Sequence, residues 1–201
     1  MPPDYLQTLR RVILEQALPV DKFGHQPRLS ALTFAIGADL DYDRDIVEAA
    51  AWLHDLGVFV GNRPEELNAL VAWDHVAFAC SEAPAILRQA GFPEEKIPAV
   101  LDAIRQHQPK DDPATLEAVI LRDADILEQL GAVTILRTVS KIGRDTRFKT
   151  FPDALHALQN NAETLPAQLK LPRARKMAET RLHILRAFLA EAIREGCALE
   201  S

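Results

Sequence analysis

Only two cysteines, Cys80 and Cys197, occur in the 201 residues, and they show neither the CxxC spacing of a zinc ribbon nor the density of a secreted disulfide scaffold. They read as free thiols in a reducing compartment. No stretch approaches the 18 or more consecutive apolar residues of a membrane span. The first twenty residues interleave Asp4, Arg10, Arg11 and Glu15 with apolar side chains, unlike the core of a signal peptide. A cytoplasmic protein with no membrane partner is expected. Positive charge is also short: 23 Lys and Arg against 29 Asp and Glu leave a net charge of -6, which argues against polymeric nucleic acid as a partner. Neither a GxSxG nucleophile elbow nor a GxxxxGK[ST] phosphate loop is present. Internal repeats, low-complexity tracts and period-two strand patterns are missing too.

What remains is an ordinary globular composition, 48% hydrophobic and 26% charged, on a chain long enough to bury a core as one domain over residues 1–201. The apolar periodicity is helical throughout, so the expected class is all-α. Tyr5 to Leu18 reads as a first helix ended by Pro19, and Pro27 to Ala38 as a second, with His25 just ahead of it. Asp43 suits the cap of a third helix, apolar almost all round, that closes on His54, Asp55 and Gly57. Leu67 to Ala90 reads as one long helix or two broken near Pro84, which places Asp74-His75 near a helix middle. Pro93 to Gln108 follows, with His107 near its end, and then Leu116 to Val139, interrupted at Gly131 and carrying Asp123 and Asp125. The motif-bearing core is expected over about residues 20–145, with further helices over about 150–197. In the last of these a stripe of Met177, Leu182, Ile184, Leu185, Phe188 and Leu189 reads as core.

Four of the six histidines, His25, His54, His75 and His107, fall on separate predicted helices or at their ends. Neutral imidazole is the commonest protein metal ligand, and carboxylates complete sites for divalent cations. Asp55 and Asp125 are the natural carboxylate partners. His156 and His183 lie outside the pattern and read as surface residues. Of the basic residues near the motifs, Lys22, Arg28, Lys110, Arg122, Arg137 and Lys141 are candidates for phosphate binding, and Arg137 and Lys141, four apart, share a helix face.

The sequence resembles the HD superfamily of metal-dependent phosphohydrolases. The resemblance rests on His25 in Gly24-His25-Gln26-Pro27-Arg28, on His54-Asp55 in Ala51-Trp52-Leu53-His54-Asp55-Leu56-Gly57, and on Asp125 in Arg122-Asp123-Ala124-Asp125, within about the first 145 residues. The Asp123-Ala124-Asp125 segment, followed by Leu130-Gly131-Ala132 and Arg137, is similar to small bacterial HD proteins implicated in nucleotide hydrolysis, although Ile126 stands where those proteins usually have Arg. The resemblance implies His25, His54, Asp55 and Asp125 as metal ligands. Families that hold a second metal add two histidines from intervening helices, and His75 and His107 match those places in chain order. Asp123 is expected to support or cap rather than ligate. Arg28, Arg137 and Lys141 are the substrate-binding candidates.

The expected function is hydrolysis of a phosphoester or phosphoanhydride, of a nucleotide or another small phosphorylated metabolite, by a metal-bound hydroxide. The cofactor would be one or two ions per chain of Fe, Mn, Ni, Co or Zn, or Mg. Asp55 would position metal and nucleophile, and His75 or His107 would donate a proton to the leaving group. Two alternatives share the ligand set: a diiron oxygenase and a non-catalytic ligand-sensing module. The C-terminal helices leave room for a homodimer surface.

Overall fold

A computed structural model describes residues 4–19, 22–144 and 148–195. Cys197 lies outside the described residues, as does the expected end of the last helix. Ten α-helices are found among the described residues, with no named strand, so the chain is all-α. They are α1 (Asp4–Gln16), α2 (His25–Ile36), α3 (Arg44–Leu53), α4 (Leu67–Val71), α5 (His75–Gln89), α6 (Ile97–Arg105), α7 (Leu116–Glu128), α8 (Ala132–Val139), α9 (Phe151–Thr164) and α10 (Pro172–Arg194). The chain divides into two compact units, 1–124 and 125–201.

The first unit is built around α3. Its Ala49, Ala50, Ala51, Trp52 and Leu53 are all buried, as expected for a helix apolar on every side. Small alanines let neighbours approach closely, and α3 packs against α1, α2, α5 and α6. Its start is fixed as the sequence indicates: the Asp43 carboxylate accepts from the backbone N–H groups of Asp45 and Ile46. A second clamp holds the same end. Tyr5 donates to Asp45 at 2.7 Å, and Lys96 Nζ lies 2.8 Å from Asp43 and 3.0 Å from Asp45. His54 follows the opposite end of α3 as its C-cap residue.

Three expectations about helix ends are corrected. His25 is the first residue of α2, not a residue ahead of it, because the helix starts after Gly24. The break within residues 67–90 falls between α4 and α5, not at Pro84, which sits inside α5. The physical cause is local: Asp74 accepts from Ala77 N–H as a helix cap, and Trp73 Nε1 donates to the Gly57 carbonyl at 2.8 Å. His75 accordingly stands at the start of α5 rather than near a helix middle.

In the second unit, α8, α9 and α10 pack on one another. Gly131 has a φ of +87°, a backbone conformation that favours glycine, and it stands directly before α8, where the sequence indicates an interruption. A Thr150 and Asp153 capping box starts α9. Along α10, Leu182, Leu185 and Leu189 are buried, but Ile184 and Phe188 are exposed, so the expected six-residue core stripe narrows to the face at spacings of three and four. His156 and His183 are exposed, as expected of surface residues. No helix among the described residues is long and apolar enough to cross a membrane.

Candidate metal centre

The C-terminal end of α3, the start of α2 and the turn after α6 bring three buried imidazoles and one carboxylate together in the first unit. His25, His54 and His107 are each no more than 3% exposed. His54 caps α3, and its Nδ1 lies 3.0 Å from the Ala51 carbonyl. His107 Nδ1 lies 2.6 Å from the Ile104 carbonyl. A carbonyl can only accept, so both rings carry their proton on Nδ1 and present the Nε2 lone pair. This is the second-sphere arrangement that orients histidine for metal binding.

The Nε2 atoms of His25 and His54 are 3.3 Å apart. Asp55 Oδ1 lies 3.6 Å from His54 Nε2, and Asp55 Oδ2 lies 3.6 Å from His25 Nε2. Ligand atoms about 2.1 Å from one ion are separated by roughly 3.0 Å at a right angle and roughly 3.4 Å at the tetrahedral angle. The observed spacings fit a common divalent cation. His54, Asp55 and His107 also each offer a ligand atom within 4.8 Å of the others. The donor set of imidazole nitrogens with one carboxylate suits a transition metal better than calcium.

Electrostatics favour the same reading. Burial alone would push the Asp55 carboxyl up, but His54, His25, His107 and Lys22 together hold it well below the usual carboxylate range. Its side chain keeps 20% exposure, so the carboxylate is open to solvent on one side.

The rings form a row. Centroids are 5.2 Å apart for His25 and His54, 4.9 Å for His54 and His107, and 6.2 Å for His107 and His75. His75 is half-buried, and its Nε2 lies 3.4 Å from the Gln108 carboxamide nitrogen. Its backbone is pressed against Gly57: a Cβ there would lie 2.5 Å from the His75 carbonyl oxygen and 2.6 Å from its Cα. Glycine at position 57 is what allows the single 3₁₀ turn over Leu56–Val58 to meet the start of α5.

The remaining candidates are placed as follows. Arg28 is half-buried on α2, one turn after His25. Asp123 is fully buried on α7, with its carboxylate 3.5 Å from the Arg122 guanidinium. Asp125 is the first residue of the second unit, half-buried, and accepts from Gln129 Nε2 at 3.1 Å. Within that unit Arg137 pairs at 3.1 Å with Glu128, a carboxylate only 1% exposed, and Lys141 sits 5.8 Å over the Phe148 ring. Arg122, a phosphate candidate from sequence, is instead 3% exposed and occupied by backbone carbonyls. Gln108 was not among the candidates. A polar residue directly after a metal-candidate histidine was the only available sign.

Comparison with known proteins places the chain in a family. Residues 23–130 match the HD domain family, more than half of the chain. Ribonuclease Y of Thermus thermophilus is 28% identical over 125 residues, which are 62% of this chain and 19% of that protein, so the chain spans about a fifth of that relative's length. A predicted HD superfamily hydrolase from an uncultured Thermotogales bacterium is 25% identical, with a TM-score of 0.62 over 95% of this chain and 90% of its own. Two further solved structures share the fold. One is an HD-superfamily hydrolase of Bacillus thuringiensis, 23% identical, TM-score 0.69, covering 96% and 97% of the two chains. The other is Bacillus subtilis YpgQ in complex with ADP, 22% identical, TM-score 0.72, covering 98% and 97%. The His54-Asp55 pair, the feature from which the superfamily takes its sequence signature, lies inside the matched segment, and the chain belongs to the HD domain family.

Proposed function

We propose that the protein is a metal-dependent phosphohydrolase acting on a phosphoester or phosphoanhydride of a nucleotide or another small phosphorylated metabolite. The observation that carries the reading is the 3.3 to 3.6 Å convergence of His25 Nε2, His54 Nε2 and both Asp55 oxygens. His25, His54 and Asp55 would hold a divalent ion there, and such an ion would lower the pKa of water and polarise a phosphoryl oxygen. Asp55, whose carboxyl is held well below the usual carboxylate range, would supply the anionic ligand. His107 is locked by the Ile104 carbonyl and serves as a nitrogen ligand or a fixed wall of the site. His75, the half-exposed imidazole at the end of the row, is the candidate proton donor to the leaving group.

Arg28 is the proposed phosphate ligand of the first unit, one helical turn from His25. The roles of Asp125 as a metal carboxylate, and of Arg137 and Lys141 in substrate binding, are proposals that single substitutions test. The family membership and the hydrolase relatives support cleavage of a phosphorus–oxygen bond, and the YpgQ complex with ADP supports a nucleotide as the substrate class. The test is phosphate release from nucleoside mono-, di- and triphosphates by chelator-treated protein resupplied with Mn, Co, Ni, Fe, Zn or Mg. Release that depends on the added ion and disappears in Asp55→Asn supports the reading; equal release by Asp55→Asn contradicts it.

The row of four imidazoles favours a second reading, because so nitrogen-rich a set also suits iron. Two equivalents of iron with substrate-dependent oxygen uptake would transfer the site to oxygenase chemistry.

A further inference from the structure

Arg122 is a buried cation in the first unit that the proposed chemistry does not use. Its guanidinium donates from Nε to the Gln108 carbonyl at 3.3 Å and from Nη2 to the Pro109 carbonyl at 2.5 Å, while Nη1 lies 3.5 Å from Asp123. These carbonyls belong to the two residues that directly follow His107. The same turn is closed on itself: Gln108 N–H donates to the Asp111 carboxylate and Asp111 N–H to the Gln108 carbonyl, both at 2.9 Å. Gln108 in turn reaches His75 through its side chain.

We infer that Arg122 is a positioning residue: it braces the turn over residues 108–111 and so fixes where His107, and through Gln108 also His75, stand at the far end of the imidazole row. The helix α6 ends at Arg105, so no intrahelical hydrogen bonding holds His107 from the C-terminal side. The two carbonyls that follow it are where the chain direction is set, and a planar fork with five donors can hold both while still meeting Asp123. Lysine offers a single ammonium on a flexible stem and cannot span the same set. The neighbouring Asp123 carboxylate, 3.5 Å from Nη1, adds a third contact to the guanidinium beside the turn.

The consequence for metal binding rests on the proposed function, but the positioning itself does not, and the experiment separates them. Arg122→Lys and Arg122→Gln are compared with the unaltered protein, both without metal. Amide hydrogen exchange at Gln108 and Asp111 should accelerate at least about tenfold relative to α3, and the His107 ring proton resonances should shift. Arg122→Lys keeps the buried charge beside Asp123, so the comparison survives if Arg122→Gln fails to fold. Unchanged exchange and unchanged His107 resonances in Arg122→Lys would overturn the inference. In parallel, Co2+ is titrated into chelator-treated protein and followed by its visible absorption. Loss of a brace around metal-candidate histidines typically weakens affinity about 10- to 100-fold, and that range with an altered spectrum is expected for Arg122→Lys. Faster exchange with unaltered Co2+ affinity and spectrum would overturn the step from turn to site. Absence of Co2+ binding by the unaltered protein would sink the proposed function, while the two metal-free readouts still decide the role of Arg122.

Discussion

Replacing Gly57 by alanine should damage the protein at one identifiable contact. The new Cβ would stand 2.5 Å from the His75 carbonyl oxygen, 2.6 Å from His75 Cα and 2.9 Å from its carbonyl carbon. All three are backbone atoms at the start of α5, so no side-chain rotation relieves the overlap. Ordinary contact requires about 1 Å more, and forcing an extra methyl into a packed interior costs about 1–3 kcal/mol. Trp73 donates to the Gly57 carbonyl, and displacement of either partner forfeits a hydrogen bond of about 1 kcal/mol. Reduced freedom of the unfolded chain returns about 0.4–1 kcal/mol. The balance is a loss of about 2 kcal/mol, read from the denaturant midpoint at unchanged slope. Gly91→Ala is the control. Its Cβ would meet nothing within 4 Å, so only the φ of +74° is strained, at about 1–2 kcal/mol, without effect on the site. The distinguishing readout is the His75 ring resonance, which should shift in Gly57→Ala and not in Gly91→Ala. A Gly57→Ala protein with wild-type stability and an unmoved His75 resonance would refute the packing argument.

Asp55→Asn should abolish metal binding while circular dichroism stays helical, because the first unit rests on the apolar faces around α3 and not on the carboxylate. The Asp45 carboxyl is lowered by the Tyr5 hydrogen bond and by Lys96, with burial opposing them. A lowered folded-state value stabilises the fold above the ordinary aspartate range and is lost as pH falls through that lowered value. Acid unfolding of Asp45→Asn should therefore start from a less stable neutral state and show a shallower fall below about pH 4; an unchanged acid limb would exclude the linkage. Arg137→Met should destabilise the protein by about 2 kcal/mol, reduced from the cost of a fully buried pair by the partial exposure of Arg137, since Glu128 is left buried without this partner. Thermal melts check it, and an unaltered midpoint would show that the pair is energetically idle. His75→Ala combined with His107→Ala should remove one metal equivalent if two are bound, whereas unchanged stoichiometry with slower turnover would assign both rings to substrate or proton transfer.

Local signals and global ones were not equally legible in the sequence. The Asp43 cap, the all-round apolar α3 and the turn at Gly131 depend on neighbouring residues alone, and each was readable. The His25, His54 and Asp55 convergence was readable through the motif, since spacing alone does not bring α2 to the end of α3. The α4 to α5 break was misplaced because Pro84 is the stronger local breaker, whereas Trp73 bonding to Gly57, a contact sixteen residues away, anchors the chain where α5 begins. Ile184 and Phe188 were assigned to the core because periodicity gives the width of a stripe but not how much of it a neighbour covers. Arg122 was grouped with phosphate candidates by its place beside the Asp motif. Only the folded turn shows that two carbonyls claim it.

A divalent ion seated between His25, His54 and Asp55 is the centre of the proposed chemistry. The direct measurement is elemental analysis of protein purified without chelator, counted per chain and repeated on Asp55→Asn. At least one equivalent of a transition metal, lost in Asp55→Asn, is the expected result. Protein that holds no ion even after dialysis against Mn2+, Fe2+, Co2+, Ni2+ and Zn2+ would contradict it.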